Sequence, residues 1–372
     1  MDDAVLFHEV AASGGKAIAV ATLNAEKSLN ALTLPMIRLL HPQLARWAQD
    51  ARIAVVVLRG AGDKAFCAGG DVRALRSALL EDDSYPNPQA QAFFTEEYAL
   101  DYAIHRFPKP IVAWGAGIVM GGGLGLMAGA SHRVATAATR IAMPEITIGL
   151  YPDVAGSWFL QRMPARVGLF LGLTGAPLNA HDALICNLAD HVLPRDGWQA
   201  MLSALASADW SSANLAHGQV SAILERLEEN NPDPLPDSPV QRNLLAVHRL
   251  MNHGDVAAVC RAIAAVDTSD DWLAAAAASL RHGSPMSAAV TWEIFRRAKH
   301  LSLAEVLRME LALSLNFCAQ PEFREGVRAL LVDKDRQPRW CTASLEEVDA
   351  DTVARHFHSP WPEEQHPLAQ LA

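Results

Sequence analysis

The run Ile111-Val112-Ala113-Trp114-Gly115-Ala116-Gly117-Ile118-Val119-Met120-Gly121-Gly122-Gly123-Leu124-Gly125 decides the fold. Ile111–Trp114 follows Pro108 and Pro110 and reads as a short buried strand. The glycines lead into an apolar, helix-like stretch over Leu124–Ala130. Glycine at a helix start lets backbone N–H groups approach a ligand with no Cβ in the way. A second cluster, Ala65-Phe66-Cys67-Ala68-Gly69-Gly70-Asp71, has the same setting: a strand before it, a helical pattern after it, and Asp71 placed to cap that helix. Two such N–H groups converging on one oxygen would make an oxyanion hole, where losing one donor typically costs about a hundred- to a thousand-fold in rate. Taken alone, either cluster fits a tight turn with close helix–sheet packing equally well.

Outward from these turns, Ile18–Leu23, Ile53–Leu58, His132–Thr136 and Arg140–Met143 read as further short strands, and Pro35–Asp50 carries apolar residues at helical spacing. Strands alternating with helices argue for an α/β layered core. Beyond about residue 208 the composition changes. Glu225–Pro239 is rich in Glu, Asn, Asp and Pro and reads as an exposed loop. After it only helical patterns follow: Val240–Asn252, Val256–Ala265, Asp270–Arg281, Ser287–Ala298 and Leu303–Phe317. The expected organisation is a core over 1–208, a linker over 209–239 and a helical C-terminal region over 240–372. Ser77–Gln91, acidic and proline-containing, reads as a loop able to serve as a lid.

The 372 residues carry a formal charge of -10, which disfavours nucleic acid and anionic membranes as partners. No apolar run reaches the roughly 18 residues of a membrane span. The acidic N-terminus has no basic region ahead of an apolar one, so a cytoplasmic location is expected. The five cysteines form no CxxC pair, which fits structural thiols in a reducing compartment. No G-x-S-x-G elbow and no zinc-helix histidine pair occurs. His132 reads as a polar residue at a strand end.

The third chemical feature is Met143-Pro144-Glu145-Ile146-Thr147-Ile148-Gly149-Leu150-Tyr151-Pro152-Asp153. Glu145 and Asp153 stand in an otherwise apolar segment, where a carboxylate is costly unless paired or functional. Desolvation would raise a carboxyl pKa and suit it to proton transfer near neutrality. Surface caps would use the same residues. Gly123-x-Gly125-x-x-Ala128 also fits the loose dinucleotide fingerprint, with Glu145 about 20 residues on, yet Glu145 follows Pro144 rather than ending a strand.

Together, Leu23-Asn24 through Leu29-Asn30-Ala31-Leu32, the Phe66–Asp71 loop, the Met120–Gly125 turn and Pro144-Glu145 with Gly149 resemble the crotonase (enoyl-CoA hydratase/isomerase) superfamily. Within it the chain looks most like the 3-hydroxyisobutyryl-CoA hydrolase subfamily. That likeness rests on Phe93-Phe94-x-Glu96-Glu97-Tyr98, Ile148–Val154, Ser284-Pro285-Met286-Ser287, Glu325–Ala329, Asp333-Lys334-Asp335 and Pro338-Arg339-Trp340. The resemblance implies a crotonase-like ββα spiral core and hydrolysis of a short 3-hydroxyacyl-CoA in valine breakdown. It implies that the N–H groups of Gly70 and Gly122 bind the thioester oxygen and that Glu145 is the catalytic carboxylate. Asp153 and Glu97 would contact the substrate hydroxyl or the attacking water. Backbone near Ala68 would meet the adenine, with Gly69, Asp71 and Gly121 beside the substrate and Lys27 reaching the CoA phosphates. A typical hydratase of this family has a second glutamate where this chain has Gly125. Ala155 stands where the subfamily usually has Gly, and Ala25-Glu26 where it has Arg-Pro. Coenzyme A belongs to the substrate, so no metal or redox cofactor is expected. A homo-oligomer fits the family. Three rivals remain at this stage: another crotonase reaction, a nicotinamide oxidoreductase, and a non-catalytic CoA-binding protein on the same fold.

Overall fold

A computed structural model describes residues 3–372. Its contacts group into two compact units, each drawn from separate stretches of chain. The first ends at Gly70 and adds Leu100–Ile141 and Leu178–Ser238; the second comprises Asp71–Ala99, Ala142–Pro177 and Pro239–Ala372.

Nine strands occur among the described residues: β1 (Val5–Ala11), β2 (Ala17–Leu23), β3 (Ile53–Gly60), β4 (Ala65–Cys67), β5 (Ile111–Trp114), β6 (Ile118–Met120), β7 (His132–Thr136), β8 (Arg140–Ala142) and β9 (His191–Leu193). The large sheet has the order β1-β2-β3-β5-β7-β9, and a small one has β4-β6-β8. Only β1 pairs antiparallel in the large sheet; β2 through β9 run parallel. Each of β3, β5 and β7 lies in the large sheet and the strand after it lies in the small one. This is the α/β spiral with a helical C-terminal region that the sequence led us to expect.

Parallel strands are buried on both faces and read as continuous apolar runs, as Val55, Val56 and Val57 do. One face of the large sheet packs Ile18, Val55, Val57, Val112 and Val134 against Met201, Leu205, Val220, Ile223 and Leu224. The last three lie on the helix Ala216–Glu229, inside the stretch read as linker. Its glutamates mask an amphipathic pattern, and Glu228 is not idle at the surface. It accepts from Val192 N–H at 2.7 Å and pairs with His191 at 2.9 Å, tying the helix to β9. Strands β1, β4, β6 and β9 escaped the sequence reading because three of them are only three residues long and β1 is largely exposed. His132 opens β7 as expected, and its ring meets Ser131 Oγ at 3.0 Å.

The second unit is helical. Its C-terminal helices start where side chains accept the free N–H groups of the first turn: Asp255 from Ala258, Asp270 from Leu273, Ser284 from Ser287 and Ser302 from Glu305. Ser77–Gln91 is not one loop. The helix Val72–Glu81 covers its start and the helix from Pro88 its end, leaving only 82–87 outside helices. No helix of the described residues is long and apolar enough to cross a membrane.

One contact in the first unit sets how closely the glycine turns approach. A Cβ on Gly123 would lie 2.2 Å from the Cys67 carbonyl oxygen. Gly218, in the exposed face of Ala216–Glu229, has nothing within 4 Å of its Cβ position. In urea unfolding, Gly123→Ala is expected to lose about 1–3 kcal/mol through overpacking, whereas Gly218→Ala gains up to about 1 kcal/mol from helix propensity. Equal effects would contradict this packing.

Candidate active site

In the first unit, both glycine clusters end strands of the small sheet, where β4 and β6 pair in parallel. Gly69 takes φ 104° and Gly121 takes φ 48°, conformations that L-residues with a Cβ rarely adopt. Leu32 N–H donates to the Gly69 carbonyl at 2.8 Å and Ala68 N–H to the Leu29 carbonyl at 3.1 Å. The loop is thus hung from the Leu29–Leu32 segment by bonds that do not use the Gly70 N–H. Asn30, fully buried, donates to the Ala61 and Ala65 carbonyls and accepts from Ala25 N–H at 3.0 Å. That explains the Leu-Asn-Ala-Leu run. Gly122 opens the helix Gly122–Ala128, which encloses Gly123 and Gly125 as well. Those two glycines lie inside a helix rather than in the open turn that a dinucleotide fingerprint needs. Lys27 lies exposed on a short 3₁₀ turn.

In the second unit, Asp71 caps the helix Val72–Glu81 by accepting from Ala74 N–H at 3.1 Å, as its position predicts. Glu145 starts the 3₁₀ turn Glu145–Ile148, which Gly149 closes in the left-handed region. A Cβ there would meet the Glu322 carbonyl at 2.4 Å, so glycine is required twice over. Glu145 is 5% exposed, and its Oε2 has no hydrogen-bond partner among the described residues. Burial first, and the charge of Asp153 second, push its carboxyl well above the ordinary glutamate range, against a bond from backbone. Asp153 is equally buried and is pushed up to about 6 by burial, while the Tyr98 hydroxyl pulls it down. Glu97 is buried one residue before Tyr98.

Behind Asp153 runs a chain of hydroxyls. Tyr98 Oη lies 2.8 Å from Asp153 Oδ2 and 2.6 Å from Ser314 Oγ. Ser314 Oγ lies 2.8 Å from Tyr151 Oη, which donates to the Glu310 carbonyl at 2.7 Å. The Glu310 carboxylate accepts from Ala155 N–H at 2.7 Å and from the Ser157 hydroxyl at 2.7 Å. It thereby holds Val154 and Ala155, both left-handed at φ 51° and 64°. For residues with a Cβ that conformation costs roughly 1–2 kcal/mol each. Sequence reasoning missed Glu310, Ser314 and Ser157. The one available signal was a lone carboxylate, Glu310, within the apolar pattern of Leu303–Phe317.

Within the second unit, a buried acid with an unpartnered oxygen and a second acid beside it form the kind of carboxyl pair that proton-transfer chemistry uses. The enoyl-CoA hydratase/isomerase family model matches residues 18–357, and the chain belongs to that family. The 3-hydroxyisobutyryl-CoA hydrolase of Danio rerio, described as mitochondrial, is 38% identical over 95% of this chain and 89% of its own length. The Homo sapiens protein of the same name is 37% identical over 91% and 86%. Among solved structures, a carnitinyl-CoA dehydratase from Mycobacterium thermoresistibile superposes with TM-score 0.85 at 34% identity, covering 100% of this chain and 99% of that one. An enoyl-CoA hydratase from Rhodobacter sphaeroides gives 0.81 at 33%, covering 96% and 98%.

Raised carboxyl pKa values make stability pH-dependent. A folded chain that holds the Asp153 proton more tightly than the unfolded chain is fully favoured below pH 3.8 at this group, and that contribution is lost as pH rises through about 6. Urea midpoints between pH 4 and 6 should therefore decline more steeply for wild type than for Asp153→Asn; parallel profiles would contradict the shift.

Proposed function

We propose that the protein hydrolyses short 3-hydroxyacyl-CoA thioesters, 3-hydroxyisobutyryl-CoA foremost, to free CoA and the 3-hydroxy acid. The observation that carries this is Glu145: buried, with an oxygen left unpaired, at the acid position of a chain whose full-length relatives bear the hydrolase name. In the first unit, the reading assigns the N–H groups of Gly70 and Gly122 to the thioester oxygen, which gathers charge in the transition state. Ala68, Gly69 and Gly121 belong with the CoA, and Lys27 with its phosphates. In the second unit, Glu145 works on the thioester carbon, as nucleophile or as the base for water. Asp153 and Glu97 belong with the substrate hydroxyl or that water. The cofactor requirement is nil under this chemistry, since every proton and nucleophile comes from the chain or from water.

Hydration is the second reading, favoured by the likeness to an enoyl-CoA hydratase and a carnitinyl-CoA dehydratase. Against it stands Gly125, where a typical hydratase of the family has a second glutamate. Hydration of a double bond would then lack one of its two acid/base groups.

Thiol release from 3-hydroxyisobutyryl-CoA, with crotonyl-CoA hydration followed in parallel, decides between them. Expected is thiol release that Glu145→Gln lowers by about a hundred- to ten-thousand-fold in kcat. Wild-type kcat/KM should climb with pH through a midpoint above the ordinary glutamate range, because the Glu145 carboxylate is the working form. Rapid hydration with no thiol released would sink the hydrolase reading. In a single turnover in ¹⁸O water, label recovered in Glu145 marks the nucleophilic route, and label confined to the product acid marks the general base.

A further inference from the structure

The hydroxyl chain behind Asp153 has one proton too few. Its links are Asp153 Oδ2 to Tyr98 Oη, Tyr98 to Ser314, Ser314 to Tyr151, and Tyr151 to the Glu310 carbonyl, at 2.8, 2.6, 2.8 and 2.7 Å. Oxygens this close share a hydrogen; lone pair against lone pair at that distance is repulsive, all the more in a dry interior. Tyr98, Ser314 and Tyr151 bring one hydroxyl hydrogen each. The Glu310 backbone carbonyl can only accept. Three hydrogens cannot fill four links, and the only remaining group able to supply one is the Asp153 carboxyl.

We infer that Asp153 is held as the neutral acid, with its proton on Oδ2 and the chain directed Asp153 to Tyr98 to Ser314 to Tyr151 to the Glu310 carbonyl. Tyr98, Ser314 and Tyr151, all three buried, are then positioning residues that act through Asp153. The surroundings agree. The groups acting electrostatically around this chain are Glu145 on its 3₁₀ turn, Glu97 beside Tyr98, and Glu310 and Cys318 on Leu303–Ala319. Three are acids and one is a thiol kept protonated by burial, and a negative charge on any of the three acids opposes one on Asp153. A neutral Asp153 also removes the smaller of the two influences that raise the Glu145 carboxyl, leaving burial alone. The two acids are driven apart, Glu145 to the working carboxylate and Asp153 to a hydrogen-bond donor. This division of labour in the reaction rests on the hydrolase reading; the proton count does not.

The count predicts signs. Removing the Ser314 hydroxyl leaves two links and two hydroxyl hydrogens, so Tyr98 is free to donate to Asp153 and its carboxylate is favoured. Tyr151→Phe also leaves as many hydroxyl hydrogens as links. Tyr98→Phe instead strips Asp153 of its only hydroxyl neighbour in the chain and leaves burial unopposed. The experiment is a ¹³C titration of full-length protein labelled at the aspartate carboxyl carbons, with Asp153 assigned through Asp153→Asn. Expected is a wild-type midpoint above the ordinary aspartate range, lowered by about one unit or more in Ser314→Ala and Tyr151→Phe, and not lowered in Tyr98→Phe. A wild-type midpoint in or below the ordinary range, or unchanged or higher midpoints in Ser314→Ala and Tyr151→Phe, would overturn the inference. Tyr151→Phe carries the same sign should Ser314→Ala fail to fold. If the midpoints move as expected but no acyl-CoA is hydrolysed, the hydrolase reading fails and the protonation assignment stands.

Discussion

Glu310 is the residue on which the acid segment depends. Left-handed backbone at two successive residues with a Cβ, Val154 and Ala155, is costly. It persists because a buried carboxylate takes the Ala155 N–H and the Ser157 hydroxyl. Asp153 immediately precedes this turn, and Tyr151 donates to the Glu310 carbonyl. A single helical position therefore holds the segment from both sides. Backbone strain stored next to a reactive group is a recurrent property of active sites, where surrounding structure over-determines a conformation that the chain alone would avoid. Ala155 where the subfamily usually has Gly makes the grip of Glu310 more necessary, since glycine would adopt the turn without strain.

The acids of this segment are kept apart from solvent, and each is answered differently. Glu310 is lifted to about 8 by burial, while the Ser157 hydroxyl and the Ala155 N–H pull it down. Asp153 faces a chain of hydroxyls short of one hydrogen and suits a neutral acid. Glu145 has an oxygen with no partner, which is the condition of a group waiting for substrate or water. Burial alone would raise all three; the hydrogen-bond environment is what separates them. Acid and base roles follow from such separation rather than from residue type.

The family's fold is shared by hydratases, dehydratases and hydrolases, so the spiral of paired sheets cannot choose the reaction. The choice rests on individual positions. Gly125 withdraws a hydratase's second glutamate. Gly123 is fixed by the Cys67 carbonyl that its Cβ would strike, and so answers to packing rather than to chemistry.

Much of this was legible in the chain itself. Strands such as Ile53–Gly60 and Ile111–Trp114 announce themselves because a parallel strand buried on both faces needs an unbroken apolar run. The glycine turns and the Glu145–Asp153 segment are readable because positive φ and buried charge each demand a rare residue type. Asp71 was readable as a cap from its position alone. Three of the four three-residue strands were not readable, because their pairing partners, not their own side chains, define them. The Glu-rich end of Ala216–Glu229 read as loop until β9 supplied the partner for Glu228. Above all, residues 98, 151, 310 and 314 lie up to 216 positions apart, and a hydrogen-bond chain has no periodicity along the sequence. The sequence by itself determined the family, the turns and the acid segment around Glu145, because each is encoded by neighbours in the chain. Only the tertiary structure decided which hydroxyls surround Asp153, because a hydrogen-bond chain is set by oxygens brought within 3 Å of one another through folding.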